Sequence, residues 1–252
     1  MVVEFPMVEE GAAVGRVAAV YADASDRMPF VPSLLKSLAV CPPYLVLAWQ
    51  QVGAVLEESA LADAASRLAA DVELAATPPP DPGDRALLVG FVDPIAKMLL
   101  LSCGLLAALD GDLRGRPSAI GEIASPPDGP LSSSLPGTRD LNGHAAELGR
   151  IRATLDTPII NTIWRTAAAE GRLERLWAKL EPQATATRAA ADRVQQAAIA
   201  GALRLPWHAV ADRAALARSG ISDAQPGMRV ILDAYATTLP RVLALVASSA
   251  AD

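Results

Sequence analysis

The groups that could do chemistry in this chain are few. Histidine occurs only as His144 and His208 and cysteine only as Cys41 and Cys103, with no Cys-x-x-Cys pair. A zinc centre would need nearly all four residues, and none fall at ligand spacing, so no metal site is expected. No nucleophile elbow, P-loop or dinucleotide fingerprint marks a strand-turn-helix junction. What is left is carboxylate, amide and hydroxyl chemistry.

Asp93 is the carboxylate of most interest, because it lies in the apolar stretch Leu87-Leu-Val-Gly-Phe-Val-Asp-Pro-Ile. Burial would raise its pKa towards that of a general base. Asp followed by Pro equally reads as a helix start, with Asp93 as N-cap and Pro94 as first helical residue. Asn161 is read on a helix just after Pro158, one turn from an apolar stripe, where a buried amide could hold a water or a substrate oxygen, or cap or brace a neighbouring helix. Tyr235 offers a hydroxyl where its counterpart Phe91 has none. Trp49 and Trp177 read as packing residues ahead of ligand-stacking ones, and His208, beside Trp207, as a surface or loop residue ahead of a base.

Helices must position these groups. The chain of 252 residues is 52% hydrophobic but only 4% aromatic, so its core is mainly Ala, Leu and Val. Ala and Leu are strong helix formers, and aromatic or β-branched strand runs are scarce. Ile160, Ile163, Trp164 and Ala167 fall at helical spacing, as do Leu45, Trp49, Val52 and Leu56. A long helix is expected from about Tyr44 towards Ala75, and a partner from about Arg172 to Leu203, broken near Pro182.

Two blocks recur in order. Pro29-Phe-Val-Pro-Ser-Leu-Leu-Lys-Ser-Leu-Ala matches Pro158-Ile-Ile-Asn-Thr-Ile-Trp-Arg-Thr-Ala-Ala, and the stretch from Phe91 matches that from Tyr235 without a gap. The expected architecture is therefore all-α, with two tandem related helical repeats packed as an intramolecular pseudo-dimer. The first repeat spans 1–113, a Gly/Pro/Ser-rich linker 114–144, and the second repeat 145–252. A net charge of −6 without a basic cluster makes nucleic acid a poor partner. The longest apolar run, Met98 to Leu109, is too short to span a bilayer, so no membrane partner is expected. Without a signal-like start, and with two cysteines, a cytoplasmic location is expected.

Tyr21-Ala-Asp, the Pro29 block, Pro43-Tyr-Leu and Trp49, with Ile151-Arg-Ala-Thr-Leu-Asp-Thr-Pro-Ile-Ile-Asn-Thr-Ile-Trp-Arg in the second copy, resemble the group I 2-haloacid dehalogenases, also called halocarboxylic acid dehydrogenases. The resemblance covers nearly the whole chain. It implies a channel between the repeats in which a water, activated by an aspartate and an asparagine, displaces halide from C2 of a small 2-haloalkanoic acid. It implies no cofactor and a small carboxylic acid as ligand, and it leaves a homodimer open. One departure is evident. Where the resemblance places an acidic opening of the second repeat, the chain reads Leu148-Gly-Arg-Ile-Arg, so Arg150 stands in place of the acid.

Two classes of function follow. A hydrolytic dehalogenase would use Asp93 as base, with Asn161 as its catalytic amide partner and Tyr235 and Phe30 against the substrate. A non-catalytic binding protein would hold a small apolar acid in the inter-repeat cavity, with Arg150 pairing its carboxylate, since Arg binds carboxylates bidentately but is no base at neutral pH.

Overall fold

The computed structural model describes residues 6–72, 81–113, 141 and 143–250. Among them the regular structure is helical, with no β-strand. The first half supplies α1 (Gly15–Arg27), α2 (Ser33–Leu38), α3 (Pro42–Leu56), α4 (Ser59–Ala70) and α5 (Pro82–Asp110). The second supplies α6 (Ala145–Leu155), α7 (Thr162–Ala169), α8 (Leu173–Leu180), α9 (Arg188–Ala202), α10 (Arg213–Arg218) and α11 (Gln225–Ala250).

The two long helices, α5 and α11, pack along one another and form the centre. α4 and α9 flank them, and α1 lies on α3. The short helices cross over: α2 leans on α11 and α7 on α5, so each meets the long helix of the other half. By length and composition two helices, Pro82–Asp110 and Ser222–Ala250, could cross a membrane, yet 56% and 78% of their apolar windows are buried against the rest of the protein. Core helices have that property too.

Each long helix carries an internal proline, which removes one backbone donor. In α11 the Ala236 carbonyl that Pro240 cannot serve accepts from Gln195 Nε2 at 3.2 Å, so α9 repairs α11. In α5, Pro94 leaves the Gly90 carbonyl on an exposed stretch, where water can serve it. Helix α5 therefore runs through Pro94. It starts at Pro82, and Asp93 is a mid-helix residue rather than an N-cap. Close approach elsewhere depends on Gly104, where an added Cβ would lie 2.0 Å from the Trp207 ring.

The helix expected from Tyr44 to Ala75 is two helices, broken at Glu57 and Glu58. Ala-rich sequence on both sides favours continuity, yet the chain turns so that α4 packs on α5. At the turn Glu57 pairs with Arg27 at 2.9 Å and Glu58 with His208 at 2.8 Å, exposed contacts worth little by themselves. The expected partner is broken as anticipated, with a 3-10 turn at Glu181–Gln183 between α8 and α9. Most of the 114–144 linker lies outside the described residues. Trp164 and Trp177 meet edge to face at 5.5 Å, an arrangement worth about 0.5–1.5 kcal/mol beyond burial.

Candidate functional site

Where α2 and α7 begin, four helices leave a half-open cleft. Phe30, Pro32, Ser33 and Leu34 line it from the α2 side, and Asn161 and Thr162 from the start of α7. Phe91, Pro94, Ile95 and Met98 come from α5, with Tyr235 and Leu239 from α11. The cavity is about 30 Å³, room for about two water molecules. A second cavity of about 80 Å³ shares Phe30, Pro32, Pro94 and Met98 with it and adds Arg27, Asp93 and Lys97 to its lining. Phe30 and Phe91 stack at 5.4 Å and make the apolar face.

The polar face is tightly bonded. Ser33 Oγ and Thr162 Oγ1 lie 2.9 Å apart, joining the first residues of α2 and α7. Tyr235 Oη meets Ser37 Oγ at 2.9 Å, and burial pushes the tyrosine pKa up, so the hydroxyl keeps its proton. Asn161 is the N-cap of α7: its Oδ1 accepts from the Ile163 amide at 3.1 Å. Because the oxygen is committed to the cap, the Asn161 NH2 is the group offered to the cleft. No carboxylate lines this smaller cavity.

Behind the polar face lies a buried ionic cluster. Lys36, on α2, reaches Glu9 at 3.0 Å and Glu10 at 2.6 Å. Arg165, on α7, reaches the other oxygen of Glu9 at 2.8 Å. These cations occupy matched positions of the two recurring blocks, and the segment before α1 clasps both. Tyr21 Oη donates to the Val8 carbonyl at 2.8 Å and holds that segment in place.

Of the five residues singled out by sequence, Asn161, Tyr235 and Phe30 come together in the cleft. Asp93 does not join them. Its side chain is 57% exposed and pairs with Lys97 at 2.8 Å. The expected burial fails because helical periodicity turns Leu88, Phe91 and Ile95 inward and Val89, Gly90 and Asp93 outward. Arg150 is not at the cleft either. It lies 53% exposed on α6, bound to Glu147 at 3.1 Å and Glu181 at 2.7 Å. Those two acids already satisfy the guanidinium that was expected to meet a ligand.

Ser33, Thr162 and Phe91 line the cleft and were not singled out. The signal was the pair of matched blocks, in which Ser33 and Thr162 hold the same place. Cys103 can be set aside as a nucleophile, since burial pushes its thiol up to about 12. Among the described residues no group of acids, histidines and cysteines could hold a metal ion.

The fold is similar to that of D-2-haloacid dehalogenases. A mutant of such an enzyme in complex with D-2-CPA superposes with a TM-score of 0.76 at 18% identity, covering 97% of this chain and 93% of that one. A second mutant structure gives 0.75 at 18% identity, covering 97% and 95%. The complex of a D-2-haloacid dehalogenase with L-LA gives 0.72 at 19% identity, covering 96% and 94%. No family model and no curated protein sequence matches the chain. At this identity the likeness establishes the all-helical fold and leaves the chemistry to the residues of the cleft.

Proposed function

We propose that the cleft binds a small 2-substituted carboxylic acid and that this chain does not hydrolyse it. The observation that carries the reading is Asn161, whose oxygen caps α7 and whose NH2 is thereby fixed as a donor on the cleft wall. The Ser33 and Thr162 hydroxyls stand beside it and share one bond, which leaves a proton for a ligand oxygen. Phe30, Phe91, Leu34 and Ile95 take the carbon side. The smaller cavity admits the carboxylate end, and the rest of the ligand extends into the adjoining one. The two halves are read as related copies whose matched blocks face each other across the ligand. Support for the ligand class comes from the fold neighbours, solved with D-2-CPA and L-LA.

Direct hydrolysis at C2 asks for a desolvated base that fixes a water. Asp93 is exposed and paired with Lys97, so it is neither desolvated nor free to fix a water. A dehalogenase reading is favoured by one observation, that Asp93 lines the adjoining cavity, which shares a wall with the smaller one. One experiment separates the two. Purified protein is incubated with each enantiomer of 2-chloropropionate while halide and melting temperature are followed. Binding without turnover raises the melting temperature through mass action and releases no halide. Halide release abolished by Asp93→Asn would establish the dehalogenase instead, and neither signal would overturn both readings.

A further inference from the structure

A larger cavity, of about 290 Å³, opens on a different side of α5, between α4 and α9. Ala60, Ala64 and Leu68 line it from α4, Leu100 from α5, and Ala197 and Ala200 from α9. Its volume reflects small side chains where two packed helices would ordinarily interdigitate larger ones. The contact below is still tight, since a Cβ at Gly201 would lie 3.1 Å from Leu100 Cδ2. Thus the floor is closed by close packing while the space above it is open. This volume approaches the lower end of the range for small-molecule sites, about 300–1,000 Å³.

The rim is charged. Arg67, Arg204 and Asp71 stand around the opening, and none of the three side chains has a hydrogen-bond or ion-pair partner among the described residues. Several other surface arginines are engaged: Arg150 with Glu181, Arg229 with Asp110, Arg175 with Asp84. Two free guanidiniums above an apolar floor match a molecule with an anionic head and an aliphatic body. Asp71 reduces the rim to one net positive charge, which suits a monoanionic carboxylate better than a phosphate dianion.

We propose that this groove binds a medium-chain aliphatic carboxylate, its chain over Ala64, Leu68, Leu100 and Ala197 and its head between Arg67 and Arg204. The site is separate from the cleft at α2 and α7 and does not depend on the function proposed for that cleft.

Titration calorimetry of the full chain with octanoate, octanamide and octyl phosphate tests it. Octanoate is expected to bind at one site. Loss of the charged head in octanamide, or the double change Arg67→Ala with Arg204→Ala, should weaken binding about tenfold or more. Ala200→Trp adds bulk at an exposed lining position and should abolish binding with the melting temperature unchanged. Asn161→Asp keeps an oxygen to cap α7 but places a negative charge in the other cleft, so it should remove the 2-chloropropionate response and leave octanoate binding intact. Octanoate binding that is absent from the unaltered protein, insensitive to the arginine and Ala200 changes, or lost in Asn161→Asp would overturn the proposal. Tighter binding of octyl phosphate than octanoate would overturn the assignment to a carboxylate.

Discussion

On one wall of the cleft, Phe30, Pro32, Phe91 and Pro94 present rings and carbon, and on the other, Asn161, Thr162 and Tyr235 present an amide and two hydroxyls. Matched sequence blocks supply both walls, with Asn161 in the place of Pro32 and Tyr235 in the place of Phe91. At Ser33 and Thr162 they carry the same chemistry, and there the two hydroxyls bond to each other, while Ile95 and Leu239 are a matched aliphatic pair. A cleft of this kind distinguishes the two sides of a small ligand. The polar wall fixes the oxygen-bearing side and the ring wall takes the rest, so a few substitutions on a common backbone plan suffice to orient a bound molecule.

The largest effect should come from the ionic cluster behind the walls. Lys36 and Arg165 hold matched positions but do different work, since Lys36 pairs with both Glu9 and Glu10 while Arg165 shares Glu9 with it. Lys36→Met leaves the buried Glu10 without its cation and should lower stability by about 3–5 kcal/mol. Arg165→Met leaves Glu9 paired with Lys36 and should lose about 1–3 kcal/mol. Urea midpoints of the two variants check the order, and equal losses would show that the walls are braced symmetrically.

Next is a change that makes the polar wall resemble the ring wall. Tyr235→Phe leaves Ser37 buried without its 2.9 Å partner, and a loss of about 1–2 kcal/mol is expected in thermal or urea unfolding. Thr162→Val cuts the bridge to Ser33 at a cost of about 1 kcal/mol and should also weaken the 2-chloropropionate response, because the shared hydroxyl pair is dismantled. If Thr162→Val leaves that response unchanged, the hydroxyl bridge is structural only and orientation falls to Asn161.

What the sequence made legible was what depends on local pattern. The all-helical fold follows from Ala and Leu at helical spacing, and the cap at Asn161 follows from its place after Pro158 and before an apolar stripe. The break at Glu57 and Glu58 was not legible, since it comes with the packing of α4 on α5, a tertiary contact that local pattern does not show. The exposure of Asp93 was not legible from the number of its apolar neighbours, because it depends on which face of the helix each of them occupies. The Ser33 to Thr162 bridge spans 129 positions and requires α2 and α7 to be packed together first. Arg150 carried a usable local clue, Glu147 one turn earlier, which marks a solvated ion pair.

The smallest effect belongs to that arginine, and it separates the outer surface from the cleft. Arg150 holds the Glu181 carboxyl below the usual carboxylate range through a direct hydrogen bond, reinforced by its charge. A carboxylate whose folded pKa is depressed stabilises the fold above its unfolded pKa, about 4.3 for glutamate, and that contribution is lost as pH falls through the lowered folded value. In Arg150→Ala the hydrogen bond and its charge are gone, so unfolding midpoints should converge with those of the unaltered protein in strong acid and differ slightly near neutrality. Added salt should narrow the difference, because the pair is exposed and screened. The 2-chloropropionate response should be the same in both proteins. A response lost in Arg150→Ala would place the ligand carboxylate on α6 and remove it from the wall formed by Asn161 and Thr162.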